Sequence, residues 1–249
     1  MTEERNIAIS RRARYYVLGE IGPKITDVWF VCHGYGQLAS TFIREFDCIA
    51  APFRLIVAPE ALSRYYVSTA PGFHGKEAEV GATWMTREDR ETEIGDYVGY
   101  LDSLHAEIMG QLSQPQVQVT VLGFSQGGAT ANRWLTRGKA TADRLLMWGS
   151  LLASDADLNE AAAFFRKVKL ILVYGTRDQY ANTGMIADYE RVLTEKGIPY
   201  ELITFDGGHR LDRGTLAEVA PMAQTKTPMT PINSQTPLGS GDRVDLLAH

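Results

Sequence analysis

The pentapeptide Gly123-Phe124-Ser125-Gln126-Gly127 constrains this chain more than any other stretch. Before it, Val117-Gln118-Val119-Thr120-Val121-Leu122 is apolar and β-branched, which predicts a strand. After it, Gly128-Ala129-Thr130-Ala131-Asn132-Arg133-Trp134-Leu135 predicts a helix. A strand that turns at once into a helix holds the intervening serine hydroxyl exposed and strained at the sheet's carboxyl edge. Glycine is needed on either side, because a Cβ there would collide across the turn. Glycine and serine are also common in ordinary βα loops, so the pentapeptide needs partners before it means chemistry.

A serine nucleophile on such a turn takes its partners in the chain order Ser, then Asp or Glu, then His. Of His33, His74, His105, His209 and His249, only the last two follow Ser125. His249 ends a polar tail, which leaves His209 as the base. It follows the strand-like Tyr200-Glu201-Leu202-Ile203-Thr204-Phe205. For the acid, Asp178 comes first. It lies just past Leu170-Ile171-Leu172-Val173-Tyr174, an apolar run expected of a strand buried on both faces. Functional groups of such sheets gather outside the carboxyl ends of the strands. Asp188 falls on the helix that follows; Asp206, close to His209 in sequence, is the fallback. His33-Gly34-Tyr35-Gly36 follows another buried-looking run, Val28-Trp29-Phe30-Val31-Cys32. A glycine-rich turn there frees backbone N–H groups for an oxyanion, with the amides of Tyr35 and Gln126 as donors. His33 itself reads as structural, its ring tying down the turn.

With these residues in place, the chain resembles the α/β-hydrolase superfamily. Within it, the chain is similar to the phospholipase/carboxylesterase group that includes acyl-protein thioesterases and small bacterial carboxylesterases. The matching stretches are His33-Gly34-Tyr35-Gly36, Ala58-Pro59-Glu60-Ala61, Gly123-Phe124-Ser125-Gln126-Gly127-Gly128, Tyr174-Gly175-Thr176-Arg177-Asp178 and Gly207-Gly208-His209. The resemblance implies a cofactor-free serine esterase with a Ser125, Asp178, His209 triad. Two stretches depart from the thioesterase-like members. Gln179-Tyr180-Ala181 stands where they carry a hydrophobic residue and proline, and residues 63–90 differ from the depalmitoylating enzymes.

The rest of the chain alternates strand-like and helix-like segments. Strands are expected over residues 14–18, 28–32, 54–58, 145–148, 170–174 and 201–205, and helices over 40–50, 90–112 and 185–196. In the second helix, Ile94, Tyr97, Val98, Leu101, Leu104 and Ile108 recur at helical spacing. Alternating βα units predict an α/β fold, a mostly parallel central sheet with helices on both faces. One domain is expected over residues 1–223. Residues 63–88 break its pattern as an aromatic-rich insertion, from which Tyr65, Tyr66, Trp84 and Met85 are candidates to wall the substrate pocket. Residues 224–249, rich in Pro, Thr, Ser and Gly, read as a polar, flexible tail.

A net charge of −5 gives no reason to expect nucleic-acid or anionic-lipid binding. No apolar run approaches a membrane span, and Met1-Thr2-Glu3-Glu4-Arg5 lacks the apolar core of a signal peptide. A cytoplasmic protein without stable membrane association is therefore expected. Cys32 and Cys48, both in apolar sequence, read as buried free thiols, and no residue cluster has metal-ligand spacing. The expected partner is a small-molecule ester of a short or medium acid. A thioester or lysophospholipid is the alternative, and a non-catalytic ligand-binding role the more distant one.

Overall fold

A computed structural model describes residues 1–67, 75, 78–152, 158–181 and 183–221. The chain runs β1 (Tyr15–Leu18), β2 (Asp27–Cys32), α1 (Ala39–Phe42), a 3-10 helix (Ile43–Ile49), β3 (Arg54–Pro59), β4 (Ser63–Tyr66), β5 (Val80–Thr83) and α2 (Arg90–Gly110). It continues β6 (Gln118–Phe124), α3 (Gln126–Arg137), β7 (Arg144–Trp148), α4 (Leu158–Phe165), β8 (Lys169–Gly175), α5 (Thr183–Glu195), β9 (Tyr200–Phe205) and α6 (Arg213–Val219). The main sheet has seven strands in the order β1-β3-β2-β6-β7-β8-β9. Only β1 is antiparallel to its neighbour.

Side chains alternate across each strand, and here both faces are apolar. Val28, Phe30 and Cys32 point into one cluster, which α2 covers with Ile94, Tyr97, Leu101, Leu104 and Ile108 and α3 with Trp134 and Leu135. Trp29 and Val31 point into the other, closed by Phe42, Phe46, Leu216 and Val219. This is the doubly covered parallel sheet the alternating pattern predicts. The helix expected over 40–50 tightens to 3-10 after its first turn.

Residues 63–67 and 78–88 carry more regular structure than their irregular composition suggests. Within them β4 and β5 pair as a separate antiparallel two-stranded sheet, with Tyr65 opposite Gly81. Cys32 is buried as expected, whereas Cys48 is exposed, because its position on the 3-10 helix faces outward. The tail expected over 224–249 lies outside the described residues.

At the amino ends of the strands, Arg54 pairs with buried Asp27 at 2.6 Å and donates to the Ile49 and Ala220 carbonyls. Removing either partner of so enclosed a pair leaves a buried charge, which typically costs about 3–5 kcal/mol. The opposite, carboxyl ends of the parallel strands carry the glycine turns and the histidine described next.

Candidate active site

Ser125 stands between β6 and α3 with φ 53° and ψ −120°, a conformation that L-residues rarely adopt. Two contacts hold it there. Its amide donates to the Trp148 carbonyl at 2.9 Å, and its carbonyl accepts from the Gly128 amide at 2.9 Å. The flanking glycines are sterically required. A Cβ on Gly123 would sit 2.2 Å from the Gly127 carbonyl oxygen, and one on Gly127 would sit 2.2 Å from the Cys32 carbonyl oxygen. Both obstacles are backbone, so neither can swing away. The tight turn thus brings the start of α3 directly against the exit of β2.

Asp178 and His209 come from the exits of β8 and β9, which pair in parallel register. Asp178 Oδ2 lies 2.8 Å from His209 Nδ1, and its other oxygen accepts the Tyr180 amide at 2.8 Å. The Asp178 side chain is 1 % exposed and that of His209 15 %. Asp206, the fallback acid, faces solvent and pairs with Arg177. The His209 ring lies 4.9 Å from the Phe124 ring and 4.8 Å from the Tyr180 ring, centroid to centroid. Phe124 is the residue before Ser125, so this stacking sets the imidazole beside the serine turn. Gly149 makes room for it, since a Cβ there would lie 3.0 Å from the ring. With Nδ1 engaged by the carboxylate, Nε2 is left for the hydroxyl. That serine–histidine hydrogen bond is not made in the structure; such bonds often tighten only once substrate is bound.

The turn after β2 supplies the remaining part. Among the described residues, the amides of Tyr35 and Gln126 have no hydrogen-bond acceptor. Below them, the Gly34 amide donates to Gln37 Oε1 at 2.8 Å.

Residues 22–226 match the family described as phospholipase/carboxylesterase. The chain belongs to that family. It is thus a hydrolase of the α/β-hydrolase type, in the esterase or thioesterase class. Among solved structures it is similar to acyl-protein thioesterase 2 of Zea mays, at 16% identity over 84% of this chain and 96% of that one, with a TM-score of 0.62. It is also similar to esterase PE8, at 19% identity, 84% and 97% coverage and a TM-score of 0.60. A carboxylesterase from Mesorhizobium loti follows at 15% identity, 83% and 93% coverage and 0.59. At these identities the likeness is one of fold. Curated proteins gave no match.

In this phospholipase/carboxylesterase chain, a cleft of about 380 Å³ opens beside His209. Gln37, Phe42, Glu45, Phe124, Arg210, Leu211 and Arg213 line it with the histidine. None of the four expected wall residues is among them. Trp84 is 2 % exposed and lies beneath the turn, stacking on His33 at 5.1 Å and donating its indole N–H to the His33 carbonyl. That corrects its reading as a pocket wall: the indole finds an acceptor and ring partners inside the protein. Met85 is half-buried beside Arg133, Tyr65 stacks on Tyr35 at 5.4 Å, and Tyr66 is exposed. The cleft residues were missed because Phe42, Glu45 and Leu211 sit on helical and loop segments with no motif of their own. Among the described residues no group of His, Cys, Asp and Glu is arranged to hold a metal, and no helix is long and apolar enough to cross a membrane.

His33 is buried, as a structural role requires. Nδ1 donates to the Gly34 carbonyl at 2.8 Å and Nε2 accepts the Ala61 amide at 3.1 Å, which fixes the neutral tautomer. Burial holds its pKa below the ordinary 6.5. A lowered folded-state value means that the unfolded chain binds more protons, so stability rises with pH. The contribution is complete above about 6.5 and is lost as pH falls below it toward the folded value. His105, also lowered chiefly by burial, adds to the same window. At Glu60, burial pushes the carboxyl up, but hydrogen bonds from Arg14 and Arg64 outweigh it and hold the group below its usual 4.5, so its effect begins at lower pH. Urea midpoints should therefore fall between pH 7 and 5.5, and His33→Gln should flatten that slope. An unchanged slope in the variant would contradict the assignment.

Proposed function

We propose that the protein is a serine carboxylesterase acting on short- to medium-chain carboxylic esters. The observation that carries this reading is the Asp178–His209 pair, 2.8 Å apart, set beside a strained serine at a helix start. Ser125 Oγ attacks the ester carbonyl while His209 Nε2 takes its proton. Asp178 keeps the other ring proton on Nδ1 and stabilises the imidazolium. The amides of Tyr35 and Gln126 receive the tetrahedral oxyanion, helped by the positive end of α3. His209 then returns its proton to the alkoxide, and the alcohol leaves an acyl-enzyme on Ser125. Water attacks that ester with His209 again as base, releasing the acid and restoring the serine.

The cleft supports the chain-length part of the reading. Phe42, Phe124 and Leu211 line it but are themselves largely buried, and its accessible rim is Glu45, Arg210 and Arg213, a polar border that suits a short acyl group better than a long fatty chain. A p-nitrophenyl ester series from acetate to palmitate tests it. kcat/KM is expected to peak at short or medium chains and fall at palmitate. A long-chain optimum would turn the reading toward a thioesterase or lysophospholipase with the same triad.

A further inference from the structure

The Gln126 side chain has a job separate from its backbone amide. Its carboxamide is fully engaged with the strand exit after β5. Nε2 donates to Thr83 Oγ1 at 3.0 Å and to the Met85 carbonyl at 2.9 Å, while Oε1 accepts the Trp84 amide at 3.1 Å. The side-chain amide thus clasps the backbone just past β5 through both its donor and its acceptor. The same β5 segment is bonded to the turn that carries Tyr35. The Gly36 amide donates to the Ala82 carbonyl at 2.9 Å, the Ala82 amide donates to the Gln37 carbonyl at 3.3 Å, and the Trp84 indole donates to the His33 carbonyl at 2.8 Å. Gly81 packs so closely that a Cβ would sit 2.5 Å from the Gly36 carbonyl oxygen.

Both oxyanion amides are therefore tied to one strip of chain, residues 81–85, from opposite sides. Tyr35 is tied through the backbone of its own turn, and Gln126 through its side chain. We infer that the Gln126 carboxamide is a positioning group that fixes the separation of the two oxyanion donors, with residues 81–85 as the brace between them. This rests on the serine-esterase reading above. Residues 81–85 of the aromatic-rich insertion then serve the transition state as a brace and not as a pocket wall. An error of about 1 Å in such a donor typically costs on the order of 100-fold in rate, and loss of a donor about 100- to 1,000-fold. A donor that is kept but loosened falls at or below the first figure.

The test compares wild type, Ser125→Ala, Gln126→Ala, Thr83→Val and the double variant Gln126→Ala/Thr83→Val on p-nitrophenyl butyrate. Inhibition by a trifluoromethyl ketone, which forms a tetrahedral oxyanion on serine, is measured alongside. Gln126→Ala keeps the backbone N–H and removes only the tie. Its kcat is expected to fall about 10- to 100-fold with little change in KM. The inhibition constant should rise by the same factor as kcat/KM falls. Thr83→Val, which removes one partner of the tie, should show a smaller loss, and the double variant should be no worse than Gln126→Ala alone. Unchanged kcat in Gln126→Ala, additive losses in the double variant, or a lowered Tm with an unchanged inhibition constant would each overturn the inference. If Gln126→Ala does not fold, Thr83→Val alone decides it through the same kcat and inhibition readouts. Equal rates in wild type and Ser125→Ala would overturn the esterase reading itself, and that result is visible before the other variants are compared.

Discussion

Replacing Ser125 with alanine is expected to lower kcat on an activated ester by roughly 10⁵- to 10⁶-fold, with little change in KM. In the proposed mechanism the hydroxyl oxygen forms the acyl-enzyme, and neither the helix start nor the freed amides can substitute for it. What remains is the background from binding and the oxyanion donors, about 10³–10⁴ over water. The fold should be unaffected, since the turn is held by backbone bonds to Trp148 and Gly128. Ser125→Gly separates the two costs. At φ 53° and ψ −120° a glycine is relieved of strain worth on the order of 1–3 kcal/mol, so that variant should be equally inactive yet more stable than wild type. Steady-state kinetics and urea unfolding of the two variants check both halves. A glycine variant less stable than the alanine one would mean that the turn is not strained.

Asp178→Asn should reduce kcat by about 10⁴-fold while leaving the side chain in place. The geometry says why. One carboxylate oxygen accepts the Tyr180 amide, so an asparagine would put its carbonyl oxygen there. Its NH₂ would then face His209 Nδ1, where the carboxylate oxygen now lies at 2.8 Å. Two donors cannot meet, so the ring shifts its proton to Nε2, the nitrogen that accepts the serine proton in the proposed mechanism. Asp206→Asn is the control. That carboxylate is exposed and pairs with Arg177 at the surface, where ion pairs contribute about 0–1 kcal/mol, and activity should stay near wild type. Comparable losses in the two variants would remove Asp178 from its assigned role.

The parts of the molecule that were readable in the sequence are those where one local rule dominates. Continuous apolar runs such as Leu170-Ile171-Leu172-Val173-Tyr174 became buried parallel strands, because strands covered on both faces need no polar alternation. The spacing of Ile94, Tyr97, Leu101, Leu104 and Ile108 became the buried face of α2. The glycines of Gly123-Phe124-Ser125-Gln126-Gly127 announced a contact too close for a Cβ. Asp178 and His209, 31 residues apart in sequence, could be paired because both follow strands that end at the same sheet edge. What stayed hidden depends on contacts far apart in the chain. The β4–β5 pair, Ser63-Arg64-Tyr65-Tyr66 against Val80-Gly81-Ala82-Thr83, has no continuous apolar run because β5 packs largely against the turn after β2, with Ala82 buried and Tyr66 exposed. Trp84 reads as an apolar wall from sequence, and only the fold shows its indole bonded to the carbonyl of His33. The cleft beside His209 draws Gln37, Phe42, Glu45 and Leu211 from segments with no shared pattern, so no periodicity could have gathered them.

The most direct measurement is covalent labelling with a fluorophosphonate, followed by peptide mass spectrometry. Wild type is expected to gain one phosphonyl group per chain, on Ser125, with esterase activity lost in proportion. The label should be absent in Ser125→Ala and slow to form in Asp178→Asn. A wild-type protein that resists the reagent, or one that is labelled elsewhere while Ser125 stays free, would contradict a serine nucleophile at this turn.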